Sequence, residues 1–426
     1  MLFSDTVIAA RKARAAAALA PLLKDDEVVL VHAGTPVQKP GGLDQTYPFL
    51  PHPNYYWLTG FRRPAGVSAF SKIDGWTDFV QPVTREEKVW EGSGESLPGT
   101  DLKEFDPWLA KKKFSRRFVL GQAAASLDLE PEKDEARVLD AFLATRRVKD
   151  AAEVALIENL AGIAHAGYRR VKEVLRPGMT ERDVQLEYET AVLRHGSEKL
   201  PYETIVGAGS NAAVLHAIPT SRVITAGDLV LIDAGADIED YCVDVTRVYT
   251  AGGNFSEKQA AIYDLVRRAQ EASIALIRPG VEWRDVHLAS ARTIAAGLKD
   301  LGVLRCGVDE AIEREAIAVF FPHGVGHLVG LKVRDTGGRF NPYPKRYAGA
   351  RLRVDLPLAE GYLVTVEPGL YFIDVLLSDA ETRSTFQSQI NWDEVAHWKG
   401  IGGVRLEDDI LVTATGHRNL TAVIEK

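Results

Sequence analysis

Two histidines four residues apart, His323 and His327, sit in the segment FPHGVGHLVGLKVRDTGG, residues 321–338. On a helix that spacing would put both rings on one face, as in zinc proteases. Gly324 and Gly326 lie between them and no glutamate follows the first histidine, so the segment reads as a loop. A lone arginine, Arg334, follows it.

The acids are more demanding. DLVLIDAGADIEDYCVDVTRVYT, residues 228–250, reads as two strands around a turn near Ile238–Glu239. That centre would set Asp233 directly opposite Asp244. Facing like charges destabilise a strand pair, and inside an apolar sheet they need protonation or a cation. The bland alternative is a solvated hairpin or another register. YLVTVEPGLYF places Glu367 at the end of an apolar run that Pro368-Gly369 terminates. GGVRLEDDILV places Glu407 inside another run, with Arg405 on the same face by the period of two. Each acid alone could be an edge-strand carboxylate paired with an arginine. Four acids at strand positions with a histidine loop suit a metal site better.

Four carboxylates and one imidazole form a mostly hard ligand set, which favours Mn²⁺ or Co²⁺ over structural Zn²⁺. Four anions exceed what one divalent ion neutralises. Two ions sharing carboxylates balance the charge, and such a pair can lower the pKa of a bridging water.

The elements that must hold these residues fall into two parts. Up to about residue 150, EVVLVHAG, YYWLTGF, GVSAFSKI, DFVQPV and RRFVLG mix short strand and helical patterns, as in an α/β unit. IAARKARAAAALAPLLK has the alanine and arginine of a transit peptide but reads better as a first surface helix. A long amphipathic pattern, TRRVKDAAEVALIENLAGIAHAGYRRVKEVL, then begins, with a break expected near Asp150. The domains are taken as 1–145 and 146–426. RPGMTERDVQL (176–186) recurs as RPGVEWRDVHL (278–288), each after one helical pattern and before another. This points to two similar halves with a cleft between them.

Hydrophobic content of 46%, charged content of 26% and net charge of −8 fit a soluble chain with no nucleic-acid partner. No apolar run reaches membrane-spanning length. Cys242 and Cys306 form no CxxC, which suits a reducing cytoplasm.

Taken together, LIDAGADIEDYCVDVTR, HGVGHLVGL, VTVEPGLYF and VRLEDD resemble the M24 metallopeptidases of pita-bread fold, in the Xaa-Pro dipeptidase (prolidase) and aminopeptidase P branch. The resemblance implies an α+β architecture, a creatinase-like N-terminal α/β domain before a pita-bread catalytic domain. It implies two divalent metal ions held by Asp233, Asp244, His327, Glu367 and Glu407, with Asp244 and Glu407 bridging. Glu367 would also shuttle a proton, and His216 and His323 would be catalytic histidines outside the metal shell. On the substrate side it implies Arg353, Trp90 and Arg405, the last supporting the metal-site carboxylates. Arg353 would grip the substrate's C-terminal carboxylate; the alternative is a surface arginine beside Arg351. Trp90, in EEKVWEG (86–92), would wall the pocket across a homodimer; the alternative is an ordinary half-buried tryptophan.

Arg334 departs from the family, which usually has a histidine seven positions after the ligand histidine. It is expected to bind substrate and shift preference. The long insert after Tyr371 looks like that of bacterial prolidases, so the expected activity is hydrolysis of Xaa-Pro dipeptides by a metal-bridging hydroxide. The alternative is an aminopeptidase P releasing the first residue of longer Xaa-Pro peptides. A metal-free creatinase-type hydrolase would not use the ligand set. A non-catalytic peptide-binding module is the rival of another class.

Overall fold

The Ser4 side chain accepts from the backbone N–H of Val7 and opens α1 (Asp5–Leu19), which buries Ile8, Arg11, Ala15 and Leu19 along one stripe. The computed structural model describes residues 2–90, 92, 97–121, 133–337 and 345–426, so Glu91, within EEKVWEG, and Gly338, at the end of the histidine segment, lie outside the described residues. The chain divides into two compact units, Met1–Arg146 and Arg147–Lys426.

After α1 the first unit contains β1 (Glu27–His32), α2 (Pro53–Thr59), β2 (Val67–Ser71), β3 (Gly75–Val80), α3 (Arg85–Trp90), β4 (Thr100–Asp101), α4 (Phe105–Lys112), β5 (Arg116–Gly121) and α5 (Lys133–Arg147). YYWLTGF proves helical. Pro53 sits in the first turn of α2, and Gly60 ends it at φ +69°, a left-handed conformation that suits glycine. The strands form one mixed sheet in the order β4-β3-β2-β1-β5, and Val28, Leu30, Val67, Ala69, Phe79 and Leu109 cluster beneath it.

The long helical pattern breaks where expected. α5 ends at Arg147, and Asp150 opens α6 (Ala151–Val174) through a reciprocal capping box with Glu153. In the second unit the RPG repeat ends one helix and opens the next in both places. α6 leads to α7 (Glu181–Arg194), capped by Thr180. Next come β6 (Ile205–Ala208), β7 (Leu229–Asp233), β8 (Asp237–Ile238), β9 (Tyr241–Cys242) and β10 (Thr246–Thr250). The second half repeats the helix pair as α8 (Glu257–Leu276) and α9 (Trp283–Asp300), then α10 (Val308–Glu313), β11 (Arg346–Tyr347) and β12 (Ala350–Arg351). It continues with β13 (Leu363–Val366), β14 (Gly369–Tyr371), α11 (Asp374–Ser378), α12 (Ala380–Thr385), α13 (Trp392–Ala396), β15 (Gly403–Arg405), β16 (Asp408–Val412) and β17 (His417–Asn419). Each half thus pairs two packed helices with a three-stranded antiparallel sheet, β10-β7-β6 or β13-β16-β17. A bridge between Thr246 and Glu407 joins the two sheets.

One reading is corrected here. The turn of the first hairpin falls on Glu239–Asp240, both at positive φ, one position later than expected. Asp233 therefore pairs with Thr246 and not with Asp244. The register moves by two in pairing, which preserves the face, so the two aspartates remain diagonal neighbours on one side. Pro368-Gly369 terminates its strand as expected, since β13 stops at Val366. It carries the chain from β13, paired with β16, to β14, paired with β15. Leu406–Glu407 makes the same transfer from β15 to β16. Glu367 and Glu407 both stand at these interruptions. The amide of Gln270, buried on α8, donates to the freed carbonyls of Val366 and Leu406.

The insert after Tyr371 forms α11 to α13 and packs Leu377, Ile390, Trp392, Val395 and Trp398 into the main core. The histidine segment runs extended beside β13. Thr365 N–H donates to the His327 carbonyl and Glu367 N–H to that of Val325. At Gly326 a Cβ would collide with the Thr365 carbonyl oxygen. Gly326→Ala is therefore expected to cost about 1–3 kcal/mol, read as a lowered Tm in scanning calorimetry. An unchanged Tm would show that the segment does not need this close approach.

Candidate metal centre

The two chain transfers and the first hairpin converge on a small cavity of about 100 Å³. Asp233 and Asp244 come from the first half, Glu367 and Glu407 from the interruptions in the second, and His327 from the loop beside β13. The cavity is also lined by His216, His323, Arg334, Arg353 and Arg405. Every residue expected at the site from the second unit is therefore brought together, whereas Trp90 is expected to act from a partner subunit. That residue lies at the end of α3 in the first unit, is 80% exposed, and borders a separate hollow with Asp44, Thr84, Glu86 and Glu87.

The five ligand-type side chains are buried. One ligand atom each from Asp244, His327 and Glu407 lie within 4.8 Å of one another. His327 Nε2 is 3.5 Å from Asp244 Oδ2 and 3.6 Å from Glu367 Oε1. Its Nδ1 is 3.0 Å from the Leu328 carbonyl, which can only accept, so that nitrogen carries the proton and Nε2 faces the acids. Glu407 Oε2 accepts from the Thr246 hydroxyl at 2.7 Å, while the buried Oε1 has no hydrogen-bond partner among the described residues. A donor set of buried carboxylate oxygens, one oriented imidazole nitrogen and one orphaned oxygen fits divalent cations.

The proton affinities express the same strain. Burial raises the Asp233 carboxyl to about 7 against the pull of Arg405. Burial and the surrounding acids push Glu407 well above the carboxylate range. Burial also raises Glu367, with His327 opposing. Asp244 goes down: burial would raise it, but His327 and Tyr202 hydrogen-bond to it and outweigh burial. For His327, burial is outweighed by Asp244 and Glu367, and the ring is raised.

Several residues that complete the site were not expected from sequence. The Tyr202 hydroxyl contacts Asp233 Oδ1 at 2.8 Å and Asp244 Oδ1 at 2.5 Å. Tyr202 stands in the loop segment LPYET, where no periodicity singles it out. Thr246 was detectable in principle, since it follows Asp244 by two on the same strand face. The carboxylate of Asp409 accepts from the backbone N–H of Asp244 at 3.1 Å. Tyr371 lies between His323 and Arg405.

Arg405, expected to support the metal-site carboxylates, is buried and directs its donors to the protein: Asp233 Oδ2 at 2.6 Å, the Tyr371 hydroxyl at 3.0 Å and the Thr246 hydroxyl at 3.2 Å. It supports the carboxylates. His323 has both ring nitrogens engaged, Nδ1 with the Gly324 carbonyl at 2.8 Å and Nε2 with the Tyr371 hydroxyl at 2.9 Å. Burial lowers its pKa to about 3, so it is neutral and accepts the Tyr371 proton. Any influence on substrate would pass through Tyr371. The pKa of His216, at the cavity wall, is lowered by the partial burial of its ring and by the charges of Arg334, Arg405 and Arg353.

A model of metallopeptidase family M24 matches residues 155–414, and a model of the aminopeptidase P N-terminal domain matches residues 8–101. A Talaromyces marneffei protein named "Probable Xaa-Pro aminopeptidase pepP" is 31% identical over 89% of this chain and 86% of its own length. Aminopeptidase PepP of Pseudomonas aeruginosa is 28% identical, with a TM-score of 0.78 over 98% of this chain and 96% of that one. Aminopeptidase P of E. coli, solved with the inhibitor Pro-Leu, is 27% identical, with a TM-score of 0.79 over 100% and 96%. These relatives point to the aminopeptidase alternative in preference to the dipeptidase.

Without metal, Asp233, Glu367 and Glu407 bind protons more readily folded than unfolded. Each withdraws stability as pH rises from its unfolded value through its folded one. The raised His327 acts in the same direction, since its stabilisation holds below its unfolded value and disappears as pH rises through the folded one. Asp244 alone opposes. The metal-stripped chain is expected to lose Tm between about pH 4 and about pH 7, and divalent ions should flatten the trend. A metal-free Tm that climbs across this window would overturn the account.

Proposed function

Because the chain belongs to metallopeptidase family M24, we propose that it is an Xaa-Pro aminopeptidase, releasing the first residue from peptides with proline second. The observation that carries this reading is the convergence of four buried carboxylates and an oriented imidazole on one cavity. Asp233, Asp244, His327, Glu367 and Glu407 would hold two divalent ions. The oxygen-rich set favours Mn²⁺ or Co²⁺. The ions would supply Lewis acidity and lower the pKa of a water.

The chain's own groups do the rest. Glu367, raised in proton affinity by burial, accepts a proton from water and returns it to the leaving nitrogen. Arg353 Nη1, 3.9 Å from Glu367 Oε1, keeps a cation beside that carboxylate. His216 and Arg334, at the cavity wall, offer donors to the peptide. Arg405, through Asp233 and Tyr371, fixes the acid cluster and the neutral His323 behind it. A small Xaa-Pro peptide is the substrate, and a homodimer is the proposed assembly. Among the described residues no helix is long and apolar enough to cross a membrane.

The deciding comparison uses metal-stripped and Mn²⁺-loaded protein on Ala-Pro and Ala-Pro-Ala. Metal-dependent cleavage of the tripeptide is expected, at about tenfold or more the kcat/KM of the dipeptide. Cleavage of the dipeptide alone would restore the dipeptidase reading, and activity indifferent to metal would sink the mechanism. Glu367→Gln should reduce kcat by about 10²–10⁴. Turnover equal to the parent would remove Glu367 from the proton path.

A further inference from the structure

Beside the metal centre opens a cavity of about 1000 Å³. Four arginines line it, Arg334, Arg346, Arg351 and Arg353, against two acids, Asp335 and Asp355. Asp335 is already committed: its carboxylate lies 3.0 Å from Lys149 Nζ, and both side chains are almost fully buried. Arg346 is partly engaged, 3.7 Å from Glu315 and bonded to the Gly349 carbonyl. Arg353 reaches Glu367. Among the described residues, neither Arg334 nor Arg351 has a carboxylate partner within 4 Å.

Arg334 also has a singular position. It lines this cavity, the small central one, and a third of about 1180 Å³ on the side of Tyr202 and His216. Among the described residues no other lines all three. Its charge opposes that of Arg353, which burial already disfavours. Positive charge held in a concave wall without counter-ions concentrates anions there, and a guanidinium fork suits a carboxylate. A single chain-terminal carboxylate would use one such fork, Arg353 on the reading above. Two more remain.

We infer that this cavity is an anion subsite that takes the carboxylate side chain of an aspartate or glutamate following the proline, with Arg334 and Arg351 as its specificity-determining residues. The inference rests on the aminopeptidase reading, which places a third substrate residue on the leaving side.

The test compares Ala-Pro-Asp-amide with Ala-Pro-Asn-amide, which differ by one charge and lack a terminal carboxylate. The Mn²⁺-loaded protein is expected to prefer the aspartate peptide by about tenfold or more in kcat/KM, carried by KM and weakened by salt. The ratio should fall toward one in Arg334→Gln and in Arg351→Gln, and recover in part in Arg334→Lys, which a merely structural role would not produce. Each variant serves as its own control through the ratio. Equal cleavage of the two amides overturns the subsite. So does a preference confined to the free acid Ala-Pro-Asn over its amide, which would assign the guanidiniums to the chain terminus. If no tripeptide is cleaved, the aminopeptidase reading fails by itself, and calorimetric binding of Pro-Asp-amide against Pro-Asn-amide decides the subsite. Tighter binding of the aspartate compound supports it; equal binding overturns it.

Discussion

The second unit is organised around a cost, the burial of four carboxylates in a cavity walled by strands. Ionised groups removed from water are expensive unless a cation and hydrogen bonds compensate. Arg405 compensates one of them, Asp233, and the Tyr202 hydroxyl sits within hydrogen-bond distance of both Asp233 and Asp244. Thr246 satisfies one oxygen of Glu407, and the other has no partner among the described residues. The remaining deficit defines what the site must bind, and it is a deficit of positive charge.

The backbone accommodates this by interrupting its own sheets. On continued neighbouring strands Glu367 and Glu407 would face each other directly, since Val366 pairs with Asp408 in that register, and facing like charges destabilise a ladder. The chain instead leaves one sheet and enters another beside each of them, and Gln270 satisfies the carbonyls exposed by the change. The histidine loop is admitted along β13 because Gly326 lets two backbones approach closely. Positions that weaken regular structure are the ones that aim the ligands.

Around this acidic centre the outer walls carry the opposite charge. Arg334, Arg351 and Arg353 face the larger cavity, while Arg405 is spent entirely on the protein. Burial separates the extremes: Arg405 is buried and holds the acid cluster, while Arg334 and Arg351 are exposed at the wall. The long insert that suggests a dipeptidase from its sequence contributes to neither. Its helices pack into the core, and none of residues 373–402 is among those lining the central cavity.

The sequence by itself determined the element types around the site, the duplicated helix pairs and the five ligand-type residues, because these depend on local periodicity, capping and side-chain chemistry. Asp150, with Glu153 three residues on, marks a helix start wherever the chain runs. Even the misplaced hairpin centre left Asp233 and Asp244 on one face, since a shift of two in pairing preserves strand parity. Only the tertiary structure decided which groups are already spent. Nothing local to Arg405 or His323 reveals that Asp233 and Tyr371 consume their donors and acceptors. Nothing local to Tyr202 places its hydroxyl between two aspartates more than thirty residues away in sequence. Hydrogen-bond commitment and charge balance are properties of groups that meet in space, and chain spacing does not encode them.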